Sequence, residues 1–259
     1  MLKTVLVCLI AGIGAGIGTG FAGLSAATVI SPLLIVLLGV PAYEAVAIAL
    51  ASDVLASLIT SVTYAKRHYI DIVDGIVMLI TVLLLTIVGS MLASQMPDMT
   101  MGYFSTIITA GLGLKFLFFP NMKTNAHNAA KSGKQRILES LFAGIYIGFV
   151  CGFIGAGGGL MMLFVLTSVL GYEQKTAVGT SVFVMTFTAL TGSVSHIIIG
   201  GMPDLTILLL CIVFTFIAAR MSAVVATKET PATLNRVTGV ILTITGVSMT
   251  ILKIMSHTT

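Results

Sequence analysis

Apolar stretches follow one another along almost the whole chain, each closed by a short polar or glycine-rich stretch. Most approach the ~20 residues that a helix needs to cross the hydrocarbon core of a bilayer. The pattern predicts ten helical segments: Leu2–Gly18, Leu24–Leu38, Tyr43–Tyr64, Ile72–Met96, Met101–Phe119, Ile137–Gly152, Leu160–Leu170, Thr176–Ile199, Leu205–Ala226 and Leu234–Ile254. Leu24–Leu38 and Leu160–Leu170 are short and follow glycine clusters, so each either spans or forms a re-entrant pair with the segment before it. The longest polar stretch, 120–136, is too short to fold alone. It divides the chain into a first membrane repeat at 1–119, a basic linker at 120–136 and a second membrane repeat at 137–259.

The two halves repeat one another at a fixed spacing. Ala11-Gly12-Ile13 returns as Ala143-Gly144-Ile145, Gly20-Phe21 as Gly152-Phe153 and Gly39 as Gly171. Ala45-Val46 returns as Ala177-Val178 and Ser61-Val62 as Ser193-Val194, always 132 positions on. A constant offset without gaps over such a length indicates an internal duplication, so whatever the glycine-rich core of one half does, the other should mirror. The start, Met1-Leu2-Lys3 and its apolar run, resembles a signal peptide. The segment from Leu9 onward, however, matches Leu141 onward, so it is expected to belong to the repeat.

Composition narrows the class. With 57% hydrophobic and 8% charged residues and a mean hydropathy of +1.12, the chain reads as an all-α polytopic membrane protein, multi-pass in the cell inner (plasma) membrane. The net charge of +4 reads as a loop bias, not a nucleic-acid surface. Lys66-Arg67-His68 and the linker residues Lys123, Lys131, Lys134 and Arg136 are separated by two segments, so both stretches can be cytoplasmic. The counterpart of the first basic loop, Gly200–Asp204, has no basic residue, whereas the counterpart of the neutral Pro97-Asp98 loop carries Arg220, Lys228 and Arg236. The bias changes sides between the halves, which predicts two inverted repeats of about five segments each, a cytoplasmic linker and external termini.

Chemistry is confined to a few positions. Gly12, Gly16 and Gly20, and again Gly144, Gly148 and Gly152, recur every fourth residue, the spacing of a helix face on which another backbone packs closely. Packing does not explain Gly18-Thr19-Gly20 with Gly23, or Gly155-Ala156-Gly157-Gly158-Gly159. Glycine runs weaken a helix, and broken helices inside a membrane are tolerated where the freed backbone lines a cavity or is covered by protein. A helix restarting after a break turns its partially positive N-terminal amides to the gap, which suits a small anion. Two breaks in inverted halves should meet near the midplane.

Ser25, Thr28 and Ser31 follow the first break, and Thr180-Ser181 stands in the second half. Most hydroxyls in helices bond back to their own backbone; those beside a break are the candidates. Asp53 is a carboxylic acid in an apolar segment, a costly placement that points to a cavity, a partner or an ion path. Met185 stands at its counterpart, so Asp53 is a coupling or gating candidate, with a structural hydrogen bond to Ser or Thr an equal alternative. His196 lies close to a loop and reads as interfacial, while Lys115 and Arg220 snorkel.

Enzyme templates do not fit. Ser193, Ser195 and His196 are too close along one helix to form a nucleophile–base pair. No Lys-Ser/Thr follows the glycine runs as in a phosphate-binding loop. Cys8, Cys151 and Cys211 lie in apolar runs without metal spacing. No cofactor and no metal are expected, and the chain does not read as an enzyme.

Gly18-Thr19-Gly20-Phe21-Ala22-Gly23 with Ser31-Pro32, then Gly152-Phe153-Ile154-Gly155-Ala156-Gly157-Gly158-Gly159 and Ala177-Val178-Gly179-Thr180-Ser181, resemble the TauE/SafE family of sulfite-exporter-like or toluene-sulfonate-uptake-like permeases. The likeness covers nearly the whole chain and is most specific in the second half. The first half departs from it, with Ser25-Ala26-Ala27 where more glycine is common and Ile48-Ala49 opposite Thr180-Ser181. The resemblance implies transport of small sulfur-containing anions such as sulfite or an organosulfonate.

The candidate substrate-binding set is Thr19, Gly20, Phe21, Gly23, Ser25, Gly155, Gly157, Gly158, Gly159, Thr180 and Ser181. The expected function is a secondary transporter with alternating access between inverted repeats, proton coupling through Asp53 being an open option. A channel-like anion facilitator and a non-transporting membrane scaffold are the alternatives. The expected partners are the small anion and the lipid bilayer, not nucleic acid; self-association is left open.

Overall fold

The computed structural model describes residues 1–93, 133–154 and 165–258, with positions 114, 117, 118, 159, 162 and 163. Among them all regular structure is helical. The first half contains α1 (Leu2–Ala22), α2 (Ala27–Leu33), which runs on into a π-helical turn at Leu34–Leu38, α3 (Ala42–Ala65) and α4 (Ile72–Ala93). The second half contains α5 (Gly133–Ile154), a π-helical turn at Val165–Val169, α6 (Gln174–Gly200) and α7 (Leu205–Ala226), followed by α8 (Pro231–Thr258). Among the described residues four helices, Leu2–Ala22, Tyr43–Ala65, Gln174–Ile198 and Leu205–Ala226, are long and apolar enough to cross a membrane, and Ala27–Leu38, Ile72–Leu85 and Ile137–Phe149 are shorter apolar helices. This is a multi-pass membrane protein. Most of the expected segment Met101–Phe119, most of the linker and the Pro97-Asp98 loop lie outside the described residues.

Local geometry recurs at the sequence offset. Each π-helical turn is followed by a left-handed glycine, Gly39 directly and Gly171 after Leu170, both at φ +68°. The amide after each glycine reaches back alike: Val40 N–H to the Leu34 carbonyl at 3.3 Å, and Tyr172 N–H to the Leu166 carbonyl at 2.8 Å. Pro32 removes one helical donor before the first π turn, but a proline is not general to both turns.

The halves exchange helices. α1 packs most extensively on α7, and α5 on α4, while α3 and α6 form the central pair. α1 and α7 run parallel, since a methyl on Gly12 would meet Phe214 and one on Gly16 would meet Ala218 and Ala219. α5 and α4 also run parallel: Gly144 lies against Met78 and Thr81, Gly148 against Val82. α3 and α6 run antiparallel, with Tyr43 stacked on His196 at 4.6 Å at one end, Leu50 against Gly192, and Tyr64 against Gly179 toward the other.

One expectation changes. The chain does not break at Gly18-Thr19-Gly20; α1 continues to Ala22 and stops at Gly23, φ +61°. The reason is contact. Gly20 sits so close to α7 that a Cβ would lie 2.7 Å from the Ala223 amide nitrogen, and the Ser222 hydroxyl bonds the Gly16 carbonyl at 2.9 Å. Close backbone approach compensates for weak helix propensity there. After Gly23 the chain turns back: Gly14 faces Val29, and Leu34 and Val40 share a buried cluster with Val7 and Cys8. Ala27–Leu38 therefore returns along α1 as the second arm of a hairpin, so that α3 begins at the end of the molecule where α1 begins.

Helix directions sort the loops. The Lys175 ammonium bonds the Thr227 carbonyl at 3.0 Å and lies 5.3 Å from the Tyr69 ring centroid. The 66–71 connection, the start of α6 and the end of α7 therefore share one end, with Lys66, Arg67, Lys175 and Lys228. At the opposite end Glu44 accepts a 2.8 Å hydrogen bond from the Asp204 amide.

Candidate functional site

The first break is a Schellman-type stop. The Gly23 amide donates to the Thr19 carbonyl at 3.0 Å and the Leu24 amide to the Gly18 carbonyl at 3.2 Å, a pattern that demands a left-handed residue, for which glycine carries no Cβ penalty. The Thr19 hydroxyl is shared between the Ala15 carbonyl, 3.0 Å, and the Leu24 carbonyl, 2.9 Å. Thr19 thus ties down the far side of its own break. The Gly20 carbonyl accepts from Tyr64 Oη at 2.9 Å, and Phe21 packs against the buried cluster around Leu24 and Tyr64.

Beyond the break, Ser25 is the hub. Its hydroxyl donates to Asp53 Oδ2 at 2.6 Å and lies 3.3 Å from the Ala27 amide, which donates to it; its carbonyl accepts from the Thr28 hydroxyl at 2.6 Å. Asp53, 1% exposed, accepts at Oδ1 from Ser57 at 2.9 Å. Both carboxyl oxygens therefore have hydroxyl donors, as a buried carboxyl group requires. Residues 53, 57, 60 and 64 share one face of α3 at helical spacing, and all four are buried. Among the described residues, the buried Thr60 and Ser31 hydroxyls have no protein partner.

The second half reaches this point through Gly159. A methyl there would lie 2.7 Å from the Ser25 amide nitrogen, 2.8 Å from the Gly23 carbonyl oxygen and 2.8 Å from Met185 Sδ. Met185 occupies the offset position of Asp53, so the two equivalent side chains flank one junction from α3 and α6. Gly155, Gly157 and Gly158 lie outside the described residues. Ser181 is buried, donates to the Val178 carbonyl at 2.9 Å, and stands where a Cβ on Gly23 would strike it. Thr180 is placed differently: its hydroxyl accepts from the Asp71 amide at 3.1 Å, joining α6 to the loop before α4.

The structure thus gathers Gly23, Ser25, Asp53, Gly159 and Ser181 at one junction. It assigns Thr19 and Gly20 to shaping that junction and places Thr180 toward the loop end. Sequence reasoning missed Ser57 and Tyr64, although the four-residue step from Asp53 to Ser57 on one helix face was a readable signal. The arrangement is a buried contact between the first backbone break and Gly159, with hydroxyls and one carboxyl group and no basic side chain in the contacts above. Among the described residues no group of three or more His, Cys, Asp or Glu side chains could hold a metal ion.

Comparison with known proteins places the chain in context. A family model described as "Sulfite exporter TauE/SafE" matches residues 8–249. The chain is 27% identical over 166 residues to a Bacillus subtilis (strain 168) protein described as "Probable membrane transporter protein YunE", covering 57% of this chain and 59% of that relative's length. No solved structure matches.

Proposed function

The chain belongs to the sulfite exporter TauE/SafE family of membrane transporters, and from that premise we propose that it is a secondary transporter of a small sulfur-containing anion such as sulfite or an organosulfonate. The observation that carries this reading is the contact of Gly159 with Gly23 and Ser25. It joins the break of the first half to the last glycine of the second half's glycine run, beside α3 and α6. Those two helices occupy equivalent sequence positions yet run antiparallel, which supports inverted repeats around a shared site.

In this reading the anion is held by backbone amides near Ser25 and Gly159, with Gly155, Gly157 and Gly158 of the second glycine run as further candidate contacts. The substrate alternates between the two ends of the α3–α6 pair as the halves rock. Asp53, fastened to Ser25, couples occupation of the site to the position of α3; proton coupling belongs to the same proposal. The end bearing Lys66, Arg67, Lys175 and Lys228 faces the cytoplasm of the cell's plasma membrane.

Counterflow in proteoliposomes tests it. Internal sulfite should accelerate saturable uptake of labelled sulfite, and sulfate or a plain carboxylate should not. Unsaturable flux without counterflow would favour a channel-like facilitator. No flux of any sulfur anion, with no thermal stabilisation by them, would overturn the reading; a ligand at ~100 times its dissociation constant should stabilise by about 2.7 kcal/mol.

A further inference from the structure

Away from the junction, a cavity of about 390 Å³ lies between the second half of α3, the 66–71 connection and the first half of α6. Its walls are apolar, with Leu58, Val62, Ile72, Phe183 and Phe187 among them, and its polar lining residues are Ser61, His68 and Thr186. Several walls face outward from the protein: Leu58 is 46% exposed, Ile72 59% and Phe187 41%. The hollow is therefore open sideways, toward where hydrocarbon lies. Its volume falls within the ~300–1,000 Å³ usual for small-molecule sites.

One end of the hollow is basic. Ala65 and His68 both line it, and between them in the chain stand Lys66 and Arg67, both exposed. His68 adopts φ +58°, so the turn is tight, and Lys66 and Arg67 lie within it between two lining residues. The nearest carboxylates along the chain turn to α6's side: Tyr172 Oη is hydrogen-bonded to Asp74 Oδ2 and lies 3.2 Å from Asp71 Oδ2. Hydrocarbon walls with two exposed cations beside one end complement an amphiphile with a negative head.

We propose that this hollow is a specific site for an anionic phospholipid, one acyl chain lying along Leu58, Val62 and Phe187 and the phosphate meeting Lys66 and Arg67. The site sits on the α3–α6 pair that joins the halves, so its occupant would brace that pair. It lies at the end that carries most of the described basic residues, and positive loops mark the cytoplasmic leaflet, where the surface potential is negative. The proposal stands on membrane insertion and does not depend on the transported substrate.

The chain has no Trp, so one introduced Trp is a clean reporter. In liposomes, Leu58→Trp should be quenched more by brominated phosphatidylglycerol than by brominated phosphatidylcholine at equal mole fraction. Val213→Trp, on an exposed position of α7, should be quenched equally by both. Lys66→Gln and Arg67→Gln should each weaken the preference at Leu58→Trp by roughly fivefold. Ile72→Trp serves as a second reporter should Leu58→Trp not fold. Equal quenching by both lipids overturns the proposal, as does a preference that survives loss of both cations. Quenching by neither lipid would mean that protein covers the hollow, and a preference abolished by millimolar phosphate or sulfite would reassign the cations to a soluble anion; both outcomes overturn it.

Discussion

The hydroxyl of Ser25 donates a 2.6 Å hydrogen bond to Oδ2 of Asp53, so the residue just past the first break is fastened to the middle of α3. A second hydroxyl, from Ser57, holds the other carboxyl oxygen. Asp53 thus acts as a cross-link between a discontinuous backbone and a continuous helix, and any rearrangement of the break must be felt by α3.

Removing one donor should therefore be costly. Ser25→Ala leaves a buried acceptor without its hydroxyl and should lower stability by about 1–3 kcal/mol. Ser25→Thr, which keeps the donor, should recover part of it. Thermal unfolding in mild detergent reads both. Ser57→Ala acts on the same carboxyl group, so the double variant should depart from additivity by at least about 0.5 kcal/mol. Strict additivity would mean that the two hydroxyls do not share Asp53.

Gly159 should tolerate no side chain. Its Cβ would meet backbone atoms of Ser25 and Gly23, which cannot rotate aside. Gly159→Ala should cost about 1–3 kcal/mol through overpacking and should abolish counterflow in protein that still folds. Retained counterflow at wild-type rate would separate this junction from transport.

Glycines that look alike in sequence should differ in response. Gly16→Ala forces α1 from α7, because its Cβ would sit 2.6 Å from the Ala219 amide nitrogen. Gly39→Ala meets nothing within 4 Å and should cost only the left-handed conformation, about 1–2 kcal/mol. Gly14→Ala meets only the end of Val29, 3.3 Å away, and gains up to ~1 kcal/mol of helix propensity. Melting temperatures should rank Gly14→Ala highest and Gly16→Ala lowest.

The assignment of ends predicts labelling. In a background without reactive native cysteines, Arg67→Cys and Lys228→Cys should react with an impermeant maleimide only from the cytoplasmic side. Glu44→Cys and Met202→Cys should react only from outside. Labelling of Arg67→Cys and Met202→Cys from the same side would refute the antiparallel sorting of loops. A clean exchange of sides would refute only the absolute orientation.

The all-helical membrane class, the long apolar helices and the clustering of described basic residues at one end were legible in the chain. Hydropathy, charge and a 132-residue offset belong to local windows or to pairs of windows, and packing does not alter them. Leu205–Ala226 agrees with the structure to the residue, and Asp204 caps its start, accepting from the Thr206 and Ile207 amides. That Gly12, Gly16 and Gly20 mark a packing face was readable from their spacing. What they pack on was not, since α7 lies some two hundred positions away. Sequence also could not decide that α1 passes through Gly18-Thr19-Gly20 and stops at Gly23. Glycine only permits a break, and the grip of α7 on α1 decides where one occurs. The partners of Asp53 were likewise undetermined, because which hydroxyls it meets depends on the rotation of α3 about its axis and on the path of the chain after Gly23. Gly159 became part of the junction only when the two halves were brought together, for its role is to be absent as a side chain where two backbones touch.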